Sequence, residues 1–495
     1  MRELLDAIGF LGIRQAANLV LSIVRAKILA ILLGPAGIGI VSQASNFQTL
    51  LWNFSNGVGR GVTVLTADSN TRKDFIKINR ILVTSLIFLA CFGGAIMIGC
   101  AIFAGPIAMW IFSNPNYQNF VMIIAASAWF AFQLSLVMAV FRGLLKIRAY
   151  TFSFVLGYFF TILGLVILVY AYGLVGAILS ILAGQIINFF ITAIILKFYV
   201  FSQFPEIGWL RAKPNWETLR QILNFFGPIL IIQVIAGMAN LLLRGELIRR
   251  LSEEANGFYQ VVWGMSLAYM TLVNDTVRSY VMPKIASHLD RLEDTINVQN
   301  NMLRVYLLVL SPFLMILLTL REIWIPILYS DVFLVAGSLM LWQFAGDLLT
   351  TVRININAAL IPRKRFNYLI FEETISWSVW IGLSLWLMPR FGLVSIPGGY
   401  FVSAIVVLII SLTYQYAVMQ FRLKPENLKL IGKLLPLLAA GFASAQFIPW
   451  LWLRIIIVGI IIGGMVLWLP TPAERKNAIV WARETLSRIQ QTSHP

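Results

Sequence analysis

Long apolar runs alternate with short polar segments along almost the whole chain. Most runs approach the roughly 20 residues that an α-helix, rising about 1.5 Å per residue, needs to cross the hydrocarbon layer of a bilayer. Charged residues, glycines and prolines separate one run from the next. The pattern predicts fourteen spanning helices, near 8–33, 38–66, 78–103, 118–143, 150–171, 174–199, 219–243, 257–281, 303–328, 334–361, 367–388, 393–420, 429–449 and 451–469.

Composition supports lipid as the solvent of these helices. Hydrophobic residues make up 59% of the 495 residues and charged residues only 12%, against about 25% charged residues in ordinary soluble domains. We therefore expect an all-α integral membrane protein. The first run carries Arg14, Asn18, Arg25 and Lys27. It is too long and too polar for a cleaved signal peptide, so we expect it to remain in the mature protein.

The basic residues predict the orientation of the helices. With a cytoplasmic N-terminus, 26 of the 38 Lys and Arg residues fall in cytoplasmic segments and six in outside segments, so both termini are predicted to be cytoplasmic. This bias also explains the net charge of +17 without nucleic acid as a partner.

Cys91 and Cys100 lie too far apart on one predicted helix for a disulfide. His288 and His494 are the only histidines, and no metal-ligand pattern is present in the sequence.

The second set of six predicted helices weakly repeats the first set. Residues 36–39 align with residues 254–257, and Gly173 aligns with Gly392, at offsets of 218 and 219 residues. Because six is an even number, both halves have the same orientation, which predicts a pseudo-two-fold axis along the membrane normal. Chance similarity between hydrophobic helices is the alternative. The predicted organisation is an N-lobe (1–200), a cytoplasmic linker (201–218), a C-lobe (219–421), helices 13 and 14 (422–470) and a tail (471–495).

The tail has a helical pattern of its own. Apolar residues recur at roughly helical spacing with basic residues interspersed: Ile479, Ala482, Leu486 and Ile489, with Arg475, Lys476, Arg483 and Arg488. This predicts a cytoplasmic amphipathic helix on anionic lipid, with a plain solubilising tail as the alternative.

Polar residues within the first two helices follow narrow stripes. Arg14, Asn18 and Arg25 fall within about 40° of one another on one helix face. Asn46, Asn53 and Arg60 recur every seven residues on the next helix. An ionisable group at bilayer depth costs at least about 2.5 kcal/mol, so such positions are functional candidates. The two stripes predict a polar chamber, with Asn18, Asn46 and Asn53 lining it.

The second half adds more cations than acids. The repeat places Arg244 and Arg278 opposite Arg25 and Arg60, and Arg353 lies on the tenth helix, whereas the deep acids are Asp275 and Asp347. The excess of arginine favours an anion such as phosphate or pyrophosphate, because a guanidinium donates two parallel hydrogen bonds and stays charged when desolvated.

Simpler structural roles remain open for several of these residues. Arg14 could extend to the membrane interface, and Asp275 could pair with Arg278 three residues later. Asp347 could be held by Thr350 or Thr351. Alternatively, Asp275 and Asp347 are candidates for coupling to a proton or sodium gradient. We expect no cofactor.

Three segments resemble a known family. Residues 24–30 (VRAKILA), 33–39 (LGPAGIG) and 321–347, with Trp342-Gln343 and Gly346-Asp347, resemble the Wzx-type flippases for O-antigen and enterobacterial common antigen units. These belong to the multidrug/oligosaccharidyl-lipid/polysaccharide (MOP) exporter superfamily. The likeness covers most of residues 8–420.

The resemblance implies a V-shaped bundle in the bacterial inner membrane. It implies that the protein is no enzyme but moves undecaprenyl-pyrophosphate-linked oligosaccharide from the cytoplasmic to the periplasmic leaflet by alternating access, for assembly of lipopolysaccharide and related cell-surface polysaccharide. A polysaccharide polymerase and chain-length machinery are the implied partners. Arg25 matches a cavity arginine of the peptidoglycan-precursor (lipid II) flippases.

Other functions stay open. The fourteen predicted helices keep a lipid II type flippase as an alternative, because those proteins also have fourteen. An organic-cation antiporter would need carboxylates in its chamber. A polytopic membrane glycosyltransferase or ligase would need a sizeable extramembrane loop with catalytic side chains.

Overall fold

The fold was analysed in a computed structural model. It describes residues 2–208, 212–224, 227–288, 291–471 and 474–475, so most of the predicted amphipathic tail lies outside the described residues. Helix is the only regular secondary structure within these ranges. This is expected where lipid surrounds the chain, because a helix satisfies its backbone hydrogen bonds internally.

The helices follow the predicted apolar runs closely, except that several neighbouring runs are continuous. In chain order they are α1 (Arg2–Thr71), α2 (Phe75–Ile102), α3 (Ala104–Phe112), α4 (Gln118–Gly143), α5 (Ile147–Ile195), α6 (Trp216–Asn224), α7 (Gly227–Arg250), α8 (Glu253–Thr276), α9 (Met282–Ala286), α10 (Leu292–Thr319), α11 (Arg321–Leu328), α12 (Met340–Ile356), α13 (Phe366–Phe391), α14 (Ser395–Val418), α15 (Pro425–Phe447) and α16 (Leu451–Trp468).

Glycines break the longest helical segments where the sequence predicts two helices. Gly34 in α1 and Gly173 in α5 have φ values of 63° and 54°, and Gly392, between α13 and α14, has 53°. Side chains other than glycine are disfavoured at such angles. Pro35 also lacks the amide hydrogen that would continue α1. The aligned pair Gly173 and Gly392 thus has nearly the same positive φ.

The lengths and hydropathy of the helices agree with a membrane protein. Among the described residues, nine helical segments are long and apolar enough to span a bilayer, or ten if the bent pair Asp331–Ser338 and Met340–Ala359 is one span. Three of the nine, Gly12–Thr71, Ile147–Gln203 and Phe366–Val418, have 60, 57 and 53 residues. Each is more than twice as long as the roughly 20 residues of one crossing. The all-helical multi-pass class is confirmed, whereas the count of fourteen stays a prediction.

Two compact units emerge from the contacts between helices. The first contains residues 1–264, 325–336 and 366–399, and the second contains 265–324, 337–365 and 400–495. These units interleave along the chain. The predicted lobes follow the internal sequence repeat instead. Their bounds at 1–200 and 219–421, with the linker and the two additional helices, stay a prediction.

A reciprocal contact within the first unit agrees with the repeat. A Cβ atom added to Gly39 would collide with the carbonyl oxygen of Glu253, and one added to Gly257 would collide with that of Pro35. Residue 39 aligns with 257, and residue 35 with 253, at the offset of 218 residues. Gly39 thus contacts the counterpart of Pro35, and the counterpart of Gly39 contacts Pro35 itself. A two-fold relation between the halves produces such a reciprocal pair of contacts. The α1 and α8 backbones therefore meet at aligned positions.

Candidate substrate cavity

The first unit encloses a cavity of about 410 Å³ between α1, α4 and α5. Arg14, Arg25 and Arg142 are its charged lining residues, and none of the described lining residues is Asp or Glu. We call it the cationic cavity. Its volume falls within the usual range for small-molecule sites, about 300–1,000 Å³. Three positive charges without a carboxylate among the described lining residues favour an anion in this cavity.

Two of these arginines flank one aromatic ring at the end of the α4–α5 hairpin. The Arg14 guanidinium carbon lies 5.0 Å from the ring centre of Tyr150 and 4.3 Å from that of Phe154, and the Arg142 carbon lies 5.9 Å from Tyr150. The Nε atoms of Arg14 and Arg142 are buried without a hydrogen-bond partner among the described residues. Aromatic faces hold the guanidinium planes in place, while their donors remain unsatisfied. Both arginines therefore need an acceptor.

Arg25 lies further along α1 and has amides around it. It has no hydrogen-bond or ion-pair partner in the described part of the chain, and its half-buried side chain reaches the cavity. The helix rise separates it from Arg14 by about 16 Å along α1. The surrounding amide side chains are Asn18, Gln48, Asn56, Gln185 and Asn188. These groups donate and accept hydrogen bonds, as a hydroxyl-rich ligand requires.

The second predicted stripe does not line the cavity. The structure places Arg14, Asn18 and Arg25 in the cavity, but Asn46, Asn53 and Arg60 are not among its lining residues. The α1 residues that do line it beyond the break are Gln48, Thr49, Trp52 and Asn56. At 100° per residue their face is rotated by roughly a quarter turn from the predicted stripe. The predicted lining role of Asn46 and Asn53 stays a prediction, and the face that lines this cavity includes neutral Thr and Trp side chains as well as amides.

Arg244 is completely buried in a hydrogen-bonded network instead of lining the cationic cavity. Its Nε donates to Asn240 at 2.9 Å, and its Nη1 donates to Asn256 at 3.1 Å. The Asn256 amide in turn donates to the Gly39 carbonyl at 2.8 Å. Arg244 also stacks over Tyr259, at 4.9 Å from the ring centre. The network joins α7 and α8 to α1 next to the reciprocal glycine contact.

The other predicted residues of the second half lie outside the cationic cavity as well. Asp275 and Arg278 are exposed, and the described ion pairs do not include one between them. Arg353 is half-buried in the last turn of α12. The predicted roles of these residues and of Arg60 and Arg244 in pyrophosphate binding stay predictions.

Asp347 forms a buried polar cluster in the second unit. One carboxylate oxygen accepts hydrogen bonds from Ser266 at 2.6 Å and from Tyr269, and the other accepts from Tyr400 at 2.9 Å and, more weakly, from Gln343. Asp347 is 1% exposed. All four donors are neutral, and all of them suit an ionised carboxylate. Burying a carboxylate is costly unless it is hydrogen-bonded, and these four donors meet that requirement.

Sequence reasoning missed Arg142, Tyr150 and the amides of α5. Arg142 stands in a basic turn between two predicted helices, where the sequence pattern indicated only the orientation of those helices. Gln185 and Asn188 are three residues apart on α5, on one face. That spacing was a usable signal within an otherwise apolar helix.

Comparison with known proteins agrees with this architecture. The family model described as "Polysaccharide biosynthesis protein" matches residues 28–338. The chain is similar to the "Lipid III flippase" of Escherichia coli (strain K12), with 23% identity over 383 residues that cover 77% of this chain and 90% of the relative. The same figures hold for the "Lipid III flippase" of Shigella flexneri.

Solved structures share the fold. An inward-facing multidrug resistance MATE family transporter of the MOP superfamily aligns with a TM-score of 0.72 and 15% identity, covering 84% of this chain and 98% of that one. The lipid II flippase MurJ, in an inward closed conformation, aligns with a TM-score of 0.69 and 15% identity, covering 93% and 98%. The predicted resemblance to the MOP exporter superfamily is confirmed. With most of its length matched by one family model, the chain belongs to the polysaccharide biosynthesis protein family.

Proposed function

We propose that this protein is a flippase for undecaprenyl-pyrophosphate-linked oligosaccharide, which it moves from the cytoplasmic to the periplasmic leaflet of the bacterial inner membrane. The observation that supports it most is the cationic cavity, with three arginines and no carboxylate among its described lining residues. A pyrophosphate offers several acceptor oxygens to guanidinium groups, which bind phosphates in bidentate fashion. The matched relatives are named as flippases of lipid-linked substrates.

The rest of the cavity suits the sugar part of such a substrate. Its amides can hydrogen-bond to hydroxyl groups, and Trp52 and Tyr158 present an apolar face with a polar edge. The prenyl chain would stay in lipid, which is the medium for an apolar tail. Cell-surface polysaccharide assembly, such as that of O-antigen, is the process this substrate would serve, with a polymerase and chain-length machinery as partners.

Transport by alternating access needs a contact between helices that closes the cavity on one side of the membrane and can open again. The α1–α8 crossing at Gly39 and Gly257 lies at the end predicted to be periplasmic, with the Asn256 hydrogen bonds beside it. Under this proposal the crossing closes the periplasmic side while the cavity loads from the cytoplasm. Arg244 would then position Asn256 in this closure instead of binding substrate.

The Asp347 cluster supports a proposal for energy coupling. A buried carboxylate with neutral donors can be neutralised by a proton or a sodium ion, which would alter the packing of α8, α12 and α14 around it. Replacement of Asp347 by Asn keeps the size and removes the charge. We expect D347N to bind substrate but to stop responding to a collapse of the ion gradients.

The cavity disfavours two of the competing functions. An organic-cation antiporter would face three arginines, and a glycosyltransferase needs catalytic carboxylates where the described lining has none. A lipid II type flippase would bind the same pyrophosphate group, so only the sugar part of the substrate distinguishes the two functions.

The test replaces each cavity arginine by Gln in a strain that lacks the chromosomal gene. We expect R14Q, R25Q and R142Q each to lower surface polysaccharide by about tenfold or more, because each removes a charge-assisted hydrogen bond worth at least about 1.5 kcal/mol. Complete lipid-linked units should accumulate at the same time. Quantification of surface polysaccharide measures the first effect, and mass analysis of the lipid-linked pool measures the second.

Arg148 supplies the matched control. It is an exposed arginine in the same turn as Arg142 but does not line the cavity, so R148Q should keep full export. Full export by all three cavity variants would contradict the proposal. Accumulation of incomplete sugars in the deletion strain would instead indicate a glycosyltransferase.

A further inference from the structure

A second cluster of arginines lies in the second unit, where α10 ends and α16 begins. Arg321 opens α11 directly after α10, and Arg454 lies in the first turn of α16. The Arg454 Nη2 atom donates to the Glu322 carboxylate at 2.6 Å, which brings the two segments together. The topology prediction places this end of the helices on the periplasmic side.

The charges of this cluster do not balance. Arg454 is only 1% exposed and Arg321 is half-buried, whereas Glu322 is the acid that pairs with them and is itself 44% exposed. Burial lowers the pKa of Arg321, and the positive charge of Arg454 lowers it further, while Glu322 raises it. Two guanidinium groups therefore share one carboxylate. A buried cation without a full counter-charge is costly.

Three hydrogen-bond donors of the cluster also lack acceptors. The Nη1 of Arg321, the Nε1 of Trp324 one turn later and the Nε of Arg454 are buried and unpartnered among the described residues. Unsatisfied buried donors are rare, and each costs about 1–3 kcal/mol. The first turn of α16 adds its own backbone N–H groups and the positive end of its dipole. All of these groups favour a negatively charged acceptor.

We propose that Arg321, Trp324 and Arg454 form a binding site for a phosphate group at the periplasmic end of α11 and α16. Phosphate fits because it carries the missing negative charge and accepts several hydrogen bonds from guanidinium groups. The ligand enters from the side of Glu322, which is exposed and competes with it for the arginines. A phospholipid headgroup and free phosphate share this chemistry. The site lies in a different unit from the cationic cavity and gives α16 a role.

The experiment measures affinity for two probes with the full chain in neutral detergent. Phosphatidylglycerol in mixed micelles and inorganic phosphate are titrated separately, and binding is followed by the shift in unfolding temperature. We expect R321Q to weaken binding by about tenfold and W324F by about threefold, as the loss of one charged and one neutral hydrogen bond predicts. R148Q, an exposed arginine that lines neither site, is the control and should keep the binding that R321Q loses.

The variant E322Q should change the affinity for the phosphate probe in the opposite direction to R321Q. Removing the competing carboxylate should tighten binding of the probe by about threefold or more, since it leaves both arginines free for phosphate. If the cluster were only a structural ion pair, E322Q would lower the unfolding temperature without tightening binding, and the proposal would be wrong. Failure of wild type to bind either probe, or unchanged binding by R321Q, would overturn it too. Whichever probe shows this pattern of variants identifies the source of the phosphate.

Discussion

Arg142 and Arg244 show that an arginine in an apolar chain takes its role from its neighbours. Arg142 stands in a basic turn that is predicted to be cytoplasmic, but its guanidinium lies against Tyr150 in the cationic cavity. Arg244 aligns with a cavity arginine by sequence repeat, yet it is buried and donates hydrogen bonds to Asn240 and Asn256. Helical periodicity predicts the face of a helix. It does not predict which helix packs against that face.

The two arginines should therefore respond differently to the same substitution. R244Q should lower the free energy of unfolding by about 2–4 kcal/mol, because it leaves buried asparagine oxygens without their charged donor. R142Q should leave stability nearly unchanged and lower affinity for a prenyl pyrophosphate probe by about tenfold. Thermal unfolding followed by tryptophan fluorescence, with a binding titration, separates the two effects. Equal losses of stability in both variants would argue against this assignment.

At the scale of the helix, the breaks were predictable and the crossings were not. Glycines with prolines or polar neighbours indicated where α1, α5 and the α13–α14 segment change direction, and Gly34, Gly173 and Gly392 do so. The close approach of Gly39 and Gly257 had no local signal beyond their alignment in the repeat. A glycine needed for backbone contact looks, in sequence, the same as one that is merely tolerated.

Alanine at these two glycines tests the crossing. G39A and G257A each place a methyl group against a backbone carbonyl oxygen that cannot move aside without shifting α1 or α8. We expect both variants to hold the crossing apart and to let a membrane-impermeant thiol reagent reach N56C in the cavity from the outside. The background would carry serine at Cys91 and Cys100.

Gly94 on α2 provides the control for this pair. No atom lies within 4 Å of a Cβ added there, so G94A should gain up to about 1 kcal/mol of helix propensity and leave labelling unchanged. Unaltered labelling in G39A and G257A would show that the crossing does not close the cavity.

The start of the tail gives a prediction about pH. Thr471 and Glu474 cap each other's backbone, with the Thr471 N–H donating to the Glu474 carboxylate at 2.6 Å and the Glu474 N–H donating to the Thr471 hydroxyl at 3.3 Å. Arg304 of α10 donates to the same carboxylate at 3.0 Å. Burial alone would raise the pKa of Glu474, but the hydrogen bonds from Arg304 and Thr471 outweigh it and hold the pKa below its ordinary value of 4.5.

A lowered pKa in the folded state fixes the sign of the pH effect. The ionised carboxylate stabilises the fold above pH 4.5, and this contribution is lost as the pH falls through the folded-state pKa. E474Q should therefore unfold at a lower temperature than wild type at neutral pH, and the difference should vanish in acid. Thermal scans over the pH range measure it. A difference that persists at the most acidic pH would contradict the role of the charge.

For the whole molecule, the class of protein could be predicted from composition, but the way its units assemble could not. Hydropathy and the distribution of lysine and arginine indicated a multi-pass membrane protein, and the repeat indicated related halves. Yet Met265–Trp324 and the helices from 400 onwards group apart from residues 1–264. The contact between Ser42 and Asn256, 214 residues apart, has no signal in the local sequence. The sequence of a transporter must be compatible with every conformation of its cycle, so it does not indicate which contacts one conformation contains.

Cross-linking of this contact tests whether the predicted lobes separate. The Ser42 hydroxyl lies 3.4 Å from the Asn256 amide, so S42C and N256C, with Cys91 and Cys100 replaced by serine, can be joined by a short thiol-specific cross-linker. Joining α1 to α8 should abolish export if the two lobes must part at the periplasmic end, and reduction of the link should restore it. The control is the pair N300C and N427C, whose native side chains lie 3.0 Å apart. It joins α10 to α15 within the second unit and leaves α1 and α8 unlinked. Export that continues with α1 linked to α8 would mean that the moving boundary follows the contact units and not the sequence repeat.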